Sequence, residues 1–141
     1  MSLYSQALRV HQKIYELSDG LVGHRLLGVP TLLLRSTGAR TGATRTNALV
    51  YARDSDRYLI VPSNGGSDRA PGWLHNLRKN PAAEIQIGRQ RRRAVAEIVG
   101  NDAPDYDRVW RIVNDNNAGR YDRYQARTSR PIPVVALTPQ S

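Results

Sequence analysis

Residues 32–51 read LLLRSTGARTGATRTNALVY: an apolar run enters a basic turn, and an alternating run leaves it. Leu32, Leu33 and Leu34 fit a buried strand, while Thr46, Ala48 and Val50 alternate with Asn47, Leu49 and Tyr51 as a second strand does. The pattern predicts a β-hairpin. Its turn combines Gly38 and Gly42, where backbone N–H groups can converge into an anion nest, with the hydroxyls of Thr37, Thr41 and Thr44 and the guanidinium forks of Arg40 and Arg45. That set suits phosphate or carboxylate, and a solvated basic loop is the plainer alternative. No GxGxxG or GxxxxGK[ST] string is present, and strand-like rather than helical sequence follows the turn. An anion held here is held by a hairpin.

Charge agrees with an anionic partner without choosing one. The 141 residues carry 21 Lys and Arg against 12 Asp and Glu, a formal charge of +9 that attracts nucleic acid, anionic lipid and acidic small molecules alike. Only Lys13 and Lys79 are lysines, which either bidentate anion recognition or a GC-rich coding sequence explains. A nucleic-acid module would interleave aromatics with its basic run, and Arg89, Arg91, Arg92 and Arg93 have none among them, so no nucleic-acid partner is expected. The length fits one domain, 1–141, and the lack of cysteine excludes disulfides and thiolate metal sites. Arg9, Lys13, Glu16 and Asp19 interrupt the first twenty residues, so no signal peptide or membrane span is expected and the location reads as cytoplasmic.

In chain order, Leu3, Tyr4, Ala7, Leu8, His11, Ile14, Tyr15 and Ser18 form a helical stripe over 1–19, a cover for the core or a peripheral membrane contact. Residues 20–30 read as an irregular connection. A turn at Asp54, Ser55 and Asp56 leads to a third strand over 57–61, and SNGGSDRA at 63–70 is a loop whose glycines permit close backbone approach. A short helix follows, with Pro71 at its first position, Trp73, Leu74 and Leu77 buried, and Asn80 and Pro81 as its stop. Strands are predicted at 84–87 and 93–99, with Arg89 to Arg93 as a solvated edge. Tyr106, Val109, Trp110 and Val113 mark a covering helix, 114–119 a polar break, and Tyr121 and Tyr124 share one face of a helical turn. The last strand, 131–137, enters through prolines and therefore reads as an edge or a barrel closure. Six antiparallel strands with covering helices make a mainly β fold, a small barrel.

The strings TGARTGATRTN, SNGGSDRAPGWLHNLRKNP, AEIQIG and YDRYQARTSRPIPVVALTP stand in the order of the deazaflavin-dependent nitroreductase and quinone reductase family, which the chain resembles over 32–139. The resemblance implies a six-stranded antiparallel split β-barrel that binds the deazaflavin coenzyme F420. It places the cofactor's phosphate and tail on Ala39, Arg40, Thr41, Gly42 and Arg45, with Thr46 and Leu49 beyond. Its ring falls to Val61, Pro62, Ser63 and Asn64, closed by Gly72, Trp73 and Asn76, and its acceptor to Tyr121 and Tyr124. Asn64 stands where relatives often carry lysine, and Ala39 where they often carry a second basic residue. The implied reaction is hydride transfer to a quinone, nitroaromatic or enone acceptor, with Ser63, Tyr121 or Tyr124 as hydrogen-bond or proton donors and no metal. An FMN-binding or non-catalytic carrier on the same barrel is the alternative.

Overall fold

The computed structural model describes residues 25–26 and 29–141, so the amphipathic stripe of 1–19 lies outside the described residues. The elements are β1 (Arg25–Leu26), β2 (Val29–Thr37), β3 (Thr44–Val50), β4 (Ala52–Asp54), β5 (Arg57–Ile60), α1 (Gly72–Lys79), β6 (Ala82–Ile87), β7 (Gln90–Val99), α2 (Tyr106–Asn116), α3 (Arg120–Gln125) and β8 (Val134–Pro139). The predicted hairpin is present: β2 and β3 pair antiparallel from Thr31↔Val50 to Thr37↔Thr44. Leu33 therefore faces away from Leu32 and Leu34, which enter the inner core while Leu33 packs with Ala48.

Pairing runs β3–β2–β6–β7–β8–β5–β4, and β3 and β4 are consecutive pieces of one chain segment broken at Tyr51. The chain thus carries the sheet from its last strand back to its first. Counted with that segment as one interrupted strand, the ring has the six expected members. At the break the Tyr51 N–H donates to Pro30 O (3.0 Å), and Asn116 Nδ2 donates to Tyr51 O (3.0 Å), so the backbone leaves the ladder without losing its partners.

Two cores divide the molecule. Leu32, Leu34, Ile60, Ile85, Val135 and Leu137 fill the inside, and α1 adds Trp73, Leu74 and Leu77. An eight-residue helix is too short to persist alone, and burying three apolar side chains at about 1.5–3 kcal/mol each is what holds it here. Leu59, Val61, Val134 and Ala136 face outward under Val109 and Val113 of α2 and Tyr121 of α3. Alternation along β5 and β8 thus feeds both layers.

Several predicted elements differ in detail. Within 20–30, the connection is not wholly irregular: Arg25–Leu26 pairs back on Val29 and Pro30, so β2 begins earlier than its leucines suggest. Pro71 is the cap before α1 rather than its first residue, since its ψ of 152° is extended. Residues Arg91 to Arg93 are ladder rather than free edge, for they pair with Gln86, Ile85 and Glu84 of β6. Helix α2 continues to Asn116 because Asn114 and Asn116 have side-chain partners in Asp122 and Tyr51. Strand β8 is interior, paired with β5 and β7, and Pro131 and Pro133 precede it where no ladder N–H is needed.

Candidate functional site

The loop of the first hairpin, 38–43, closes on itself. Gly38 N–H donates to Ala43 O (2.7 Å), Gly42 N–H to Gly38 O (2.9 Å) and Ala43 N–H to Thr41 Oγ1 (3.2 Å). Gly42 adopts a φ of 75°, which explains the glycine there. These bonds overturn the expected backbone nest at Gly38 and Gly42, whose N–H groups are spent within the loop.

Helix α1 fixes the loop from beside it. Asn76 is buried, accepts from the Ala39 N–H at Oδ1 (2.9 Å) and donates from Nδ2 to Ser36 Oγ (3.2 Å). Lys79 Nζ donates to Ala39 O (2.7 Å). Between loop and helix lies a cleft of about 1090 Å³ lined by Ala39, Arg40, Thr41, Arg45, Thr46, Gly72, Trp73 and Asn76, all predicted site residues. Gly38 and Thr44, read from the sequence as part of the anion-binding turn, also line it, as do Asn47 and His75, which were not predicted. Trp73 is only 4% exposed, so it is core and cleft wall at once. The Arg40 and Arg45 side chains are exposed and make neither ion pair nor hydrogen bond among the described residues. A basic, hydroxyl-rich rim above an indole wall fits a flat ring bearing a phosphodiester and carboxylates.

The remaining predicted residues fall elsewhere. Gly42 is exposed at the hairpin tip and Leu49 packs against the inner core; neither lines the cleft. Val61, Pro62 and Ser63 are buried after β5 and run into a turn at Asn64–Gly66. There Asn64, Gly65 and Gly66 have φ values of 46°, 65° and 86°, three left-handed residues in succession. An added Cβ at Gly66 would stand 2.7 Å from Tyr124 O, so this turn and α3 abut directly. Tyr121 is 5% exposed and packs with Trp110 and Tyr124 at centroid distances of 6.3 and 6.2 Å, whereas Tyr124 is half-buried.

Residues after α3 strap this turn down. Arg130 Nη2 donates to Pro62 O (3.1 Å) and Ser63 O (3.0 Å), and its Nε donates to Ser67 O (2.9 Å). Arg127 Nη1 donates to Gly65 O (3.2 Å), and Thr128 Oγ1 donates to Asp68 Oδ1 (2.7 Å). Burial pushes the Arg130 guanidinium below its ordinary value, and the charge of Asp68 opposes that shift. Sequence reading missed Arg130 because its partners lie more than sixty residues away.

Comparison with known proteins shows the family and the fold. Residues 7–139 match the family described as F420H(2)-dependent quinone reductase. The chain is 56% identical over 134 residues to the F420H(2)-dependent quinone reductase Rv1261c of Mycobacterium tuberculosis, covering 94% of this chain and 90% of that protein. A solved F420-H2 dependent reductase, FDR-A, superposes with a TM-score of 0.68 at 28% identity, covering 77% of this chain and 93% of the other. A second solved chain, described as a domain-swapped dimer, gives 0.71 at 26% identity and covers 94% and 98%.

Proposed function

The chain belongs to the F420H(2)-dependent quinone reductase family, and we propose from that membership that it oxidises the reduced deazaflavin coenzyme with a quinone as acceptor, activated nitro and enone compounds being further substrates of the same chemistry. The observation that supports this most is the cleft itself: two uncommitted arginines stand over an apolar indole wall, where an anionic tail and a flat ring need them. The bound coenzyme supplies a carbon that donates a hydride, and the acceptor takes that hydride with a proton to leave as a hydroquinone.

The protein's part is binding, orientation and water exclusion. Arg40 and Arg45 hold phosphate and carboxylates from the hairpin loop, with Thr41 and Thr46 as hydroxyl donors and Gly42 setting the loop's bend. Asn76, Gly72 and Trp73 form the wall of the cleft, and Val61, Pro62, Ser63 and Asn64, which follow β5 outside that lining, receive the ring, with Leu49 behind. The Ser63 and Tyr124 hydroxyls donate to the acceptor oxygen as negative charge develops there, and Tyr121 braces Tyr124 edge-on. Residues 1–141 act as one such domain in the cytoplasm.

Among the described residues no helix is long and apolar enough to cross a membrane. Quinones dissolve in membranes, so the stripe of 1–19 is assigned a peripheral contact; equal liposome co-sedimentation of the full chain and of a chain lacking 1–19 would remove that role. The function is tested by following reoxidation of the reduced coenzyme with a soluble quinone. Tyr124→Phe is expected to lower kcat about tenfold while leaving coenzyme affinity within twofold, the pattern of a donor used only in the transition state. Lost coenzyme affinity would place Tyr124 elsewhere.

A further inference from the structure

The segment that carries Tyr121 and Tyr124 also carries the side chain that holds the glycine turn. Three carbonyl oxygens, those of Pro62, Ser63 and Ser67, converge on one guanidinium, Arg130. The Pro62 and Ser63 carbonyls point the same way because Ser63, which lies between their peptide planes, is right-handed. Gly65 and Gly66 adopt the left-handed region freely, and Asn64, at a φ of 46°, is the one residue of the run whose conformation needs its surroundings to hold it.

Beside the local bond from Asn64 Nδ2 to Arg69 O (3.0 Å), the surroundings come from one stretch. Tyr124 O closes over Gly66, Arg127 takes Gly65 O, Thr128 takes Asp68, and Arg130 takes the two ends of the turn. Gln125 closes the segment on itself, its Nε2 donating to Arg130 O (2.9 Å) and its Oε1 accepting from the Ile132 N–H (2.9 Å), and buried Ile132 packs in the outer core. No carboxylate forms an ion pair with Arg130 among the described residues, so its hydrogen bonds go to backbone alone. A lysine ammonium at that position has the charge but not the planar fork that reaches three carbonyls.

We propose that Arg130 is a positioning residue: it holds the 62–67 turn in the shape that receives the cofactor ring and, through its place after α3, couples that shape to the acceptor-side tyrosines. The inference rests on the assignment of Ser63 and Asn64 to the ring made above. It makes Arg130 specific to ring orientation, whereas Arg40 and Arg45 answer for the anionic tail.

The test compares the full chain with Arg130→Lys and Arg130→Gln by three readouts. In the cofactor-free protein, hydrogen exchange of the Gly66 and Ser67 amides, which bond to Ser63 O and Asn64 O, is expected to rise at least tenfold in both variants, while β7 and β8 keep wild-type protection. Deazaflavin fluorescence titration is expected to show affinity reduced about tenfold, because the turn is no longer pre-organised for the ring, with lysine rescuing little. At saturating coenzyme, kcat with a soluble quinone is expected to stay reduced about tenfold, because a ring bound in a loosened turn is misaligned. Wild-type exchange and affinity in both variants would overturn the inference alone. Exchange rising across β7 and β8 as much as in the turn would make Arg130 merely structural and overturn it too. A wild-type chain that does not bind the coenzyme would defeat the functional reading and the inference with it.

Discussion

Arginine is used in two opposite ways on the two sides of the barrel. At the hairpin loop, Arg40 and Arg45 face a cleft with no partner among the described residues. Beside the β4–β5 turn, Arg57 pairs with Asp54, Glu97 (3.4 Å) and Asp105 (3.5 Å), and Arg108 pairs with Asp54 (2.8 Å) and Asp105 (2.7 Å). The Arg108 bonds, followed by those of Arg57, hold the Asp54 carboxyl well below the usual carboxylate range. One network ties α2 to the β4–β5 hairpin, and the other pair is left for a ligand. A count of arginines alone does not distinguish the two, because each side has a pair.

The difference predicts which property each pair controls. Arg40→Ala and Arg45→Ala are each expected to weaken coenzyme binding by about 1–3 kcal/mol, read by titration, and to leave the melting temperature within a degree or two. A fall in melting temperature without loss of affinity would reverse the comparison. Asp54→Asn is expected to do the converse: about 1–2 kcal/mol less stable in urea unfolding, since two arginines lose a shared acceptor that is 13% exposed, with coenzyme affinity unchanged. The smallest effect lies in acid. A carboxyl held low in the folded state stabilises fully above its unfolded value of about 4 and loses that contribution as pH falls through the folded value. Wild type and Asp54→Asn should therefore converge in stability below pH about 4, and parallel curves down to pH about 2 would place the acid-sensitive contribution elsewhere.

Much of the architecture was legible because it rests on local pattern. The apolar run at Leu32 to Leu34 and the alternation from Thr46 to Tyr51 carry their own period, and Trp73, Leu74 and Leu77 mark their helix by spacing. What escaped depends on distant partners. Gln90 to Arg93 has no apolar alternation and is strand only because β6 lies beside it. The break at Tyr51 reflects a segment shared between two ends of a sheet, and nothing local signals it. Asn114 and Asn116 look like a helix stop until Asp122 and Tyr51 supply their partners.

The site divides along the same line. Arg40, Thr41 and Arg45 are read directly from a Gly-punctuated basic turn, and the structure gathers them with Trp73 and Asn76 in one cleft. The glycines, however, serve the loop's own closure rather than an anion, because Gly38 and Gly42 N–H groups meet Ala43 and Gly38 carbonyls. Sequence shows that a position tolerates a left-handed backbone; only the fold shows where its N–H goes. Arg130 is the extreme case, one basic residue among 21 whose three acceptors all lie on a turn far upstream.

The central claim, that the uncommitted arginines and the indole wall hold a deazaflavin, is tested most directly by titrating the purified chain with the oxidised coenzyme beside riboflavin monophosphate at one salt concentration, reading cofactor fluorescence. The account predicts saturable binding of the deazaflavin, at least tenfold tighter than of the flavin, and weakened in Arg40→Ala and Arg45→Ala. Equal or tighter binding of riboflavin monophosphate, or deazaflavin binding indifferent to both arginines, would contradict it.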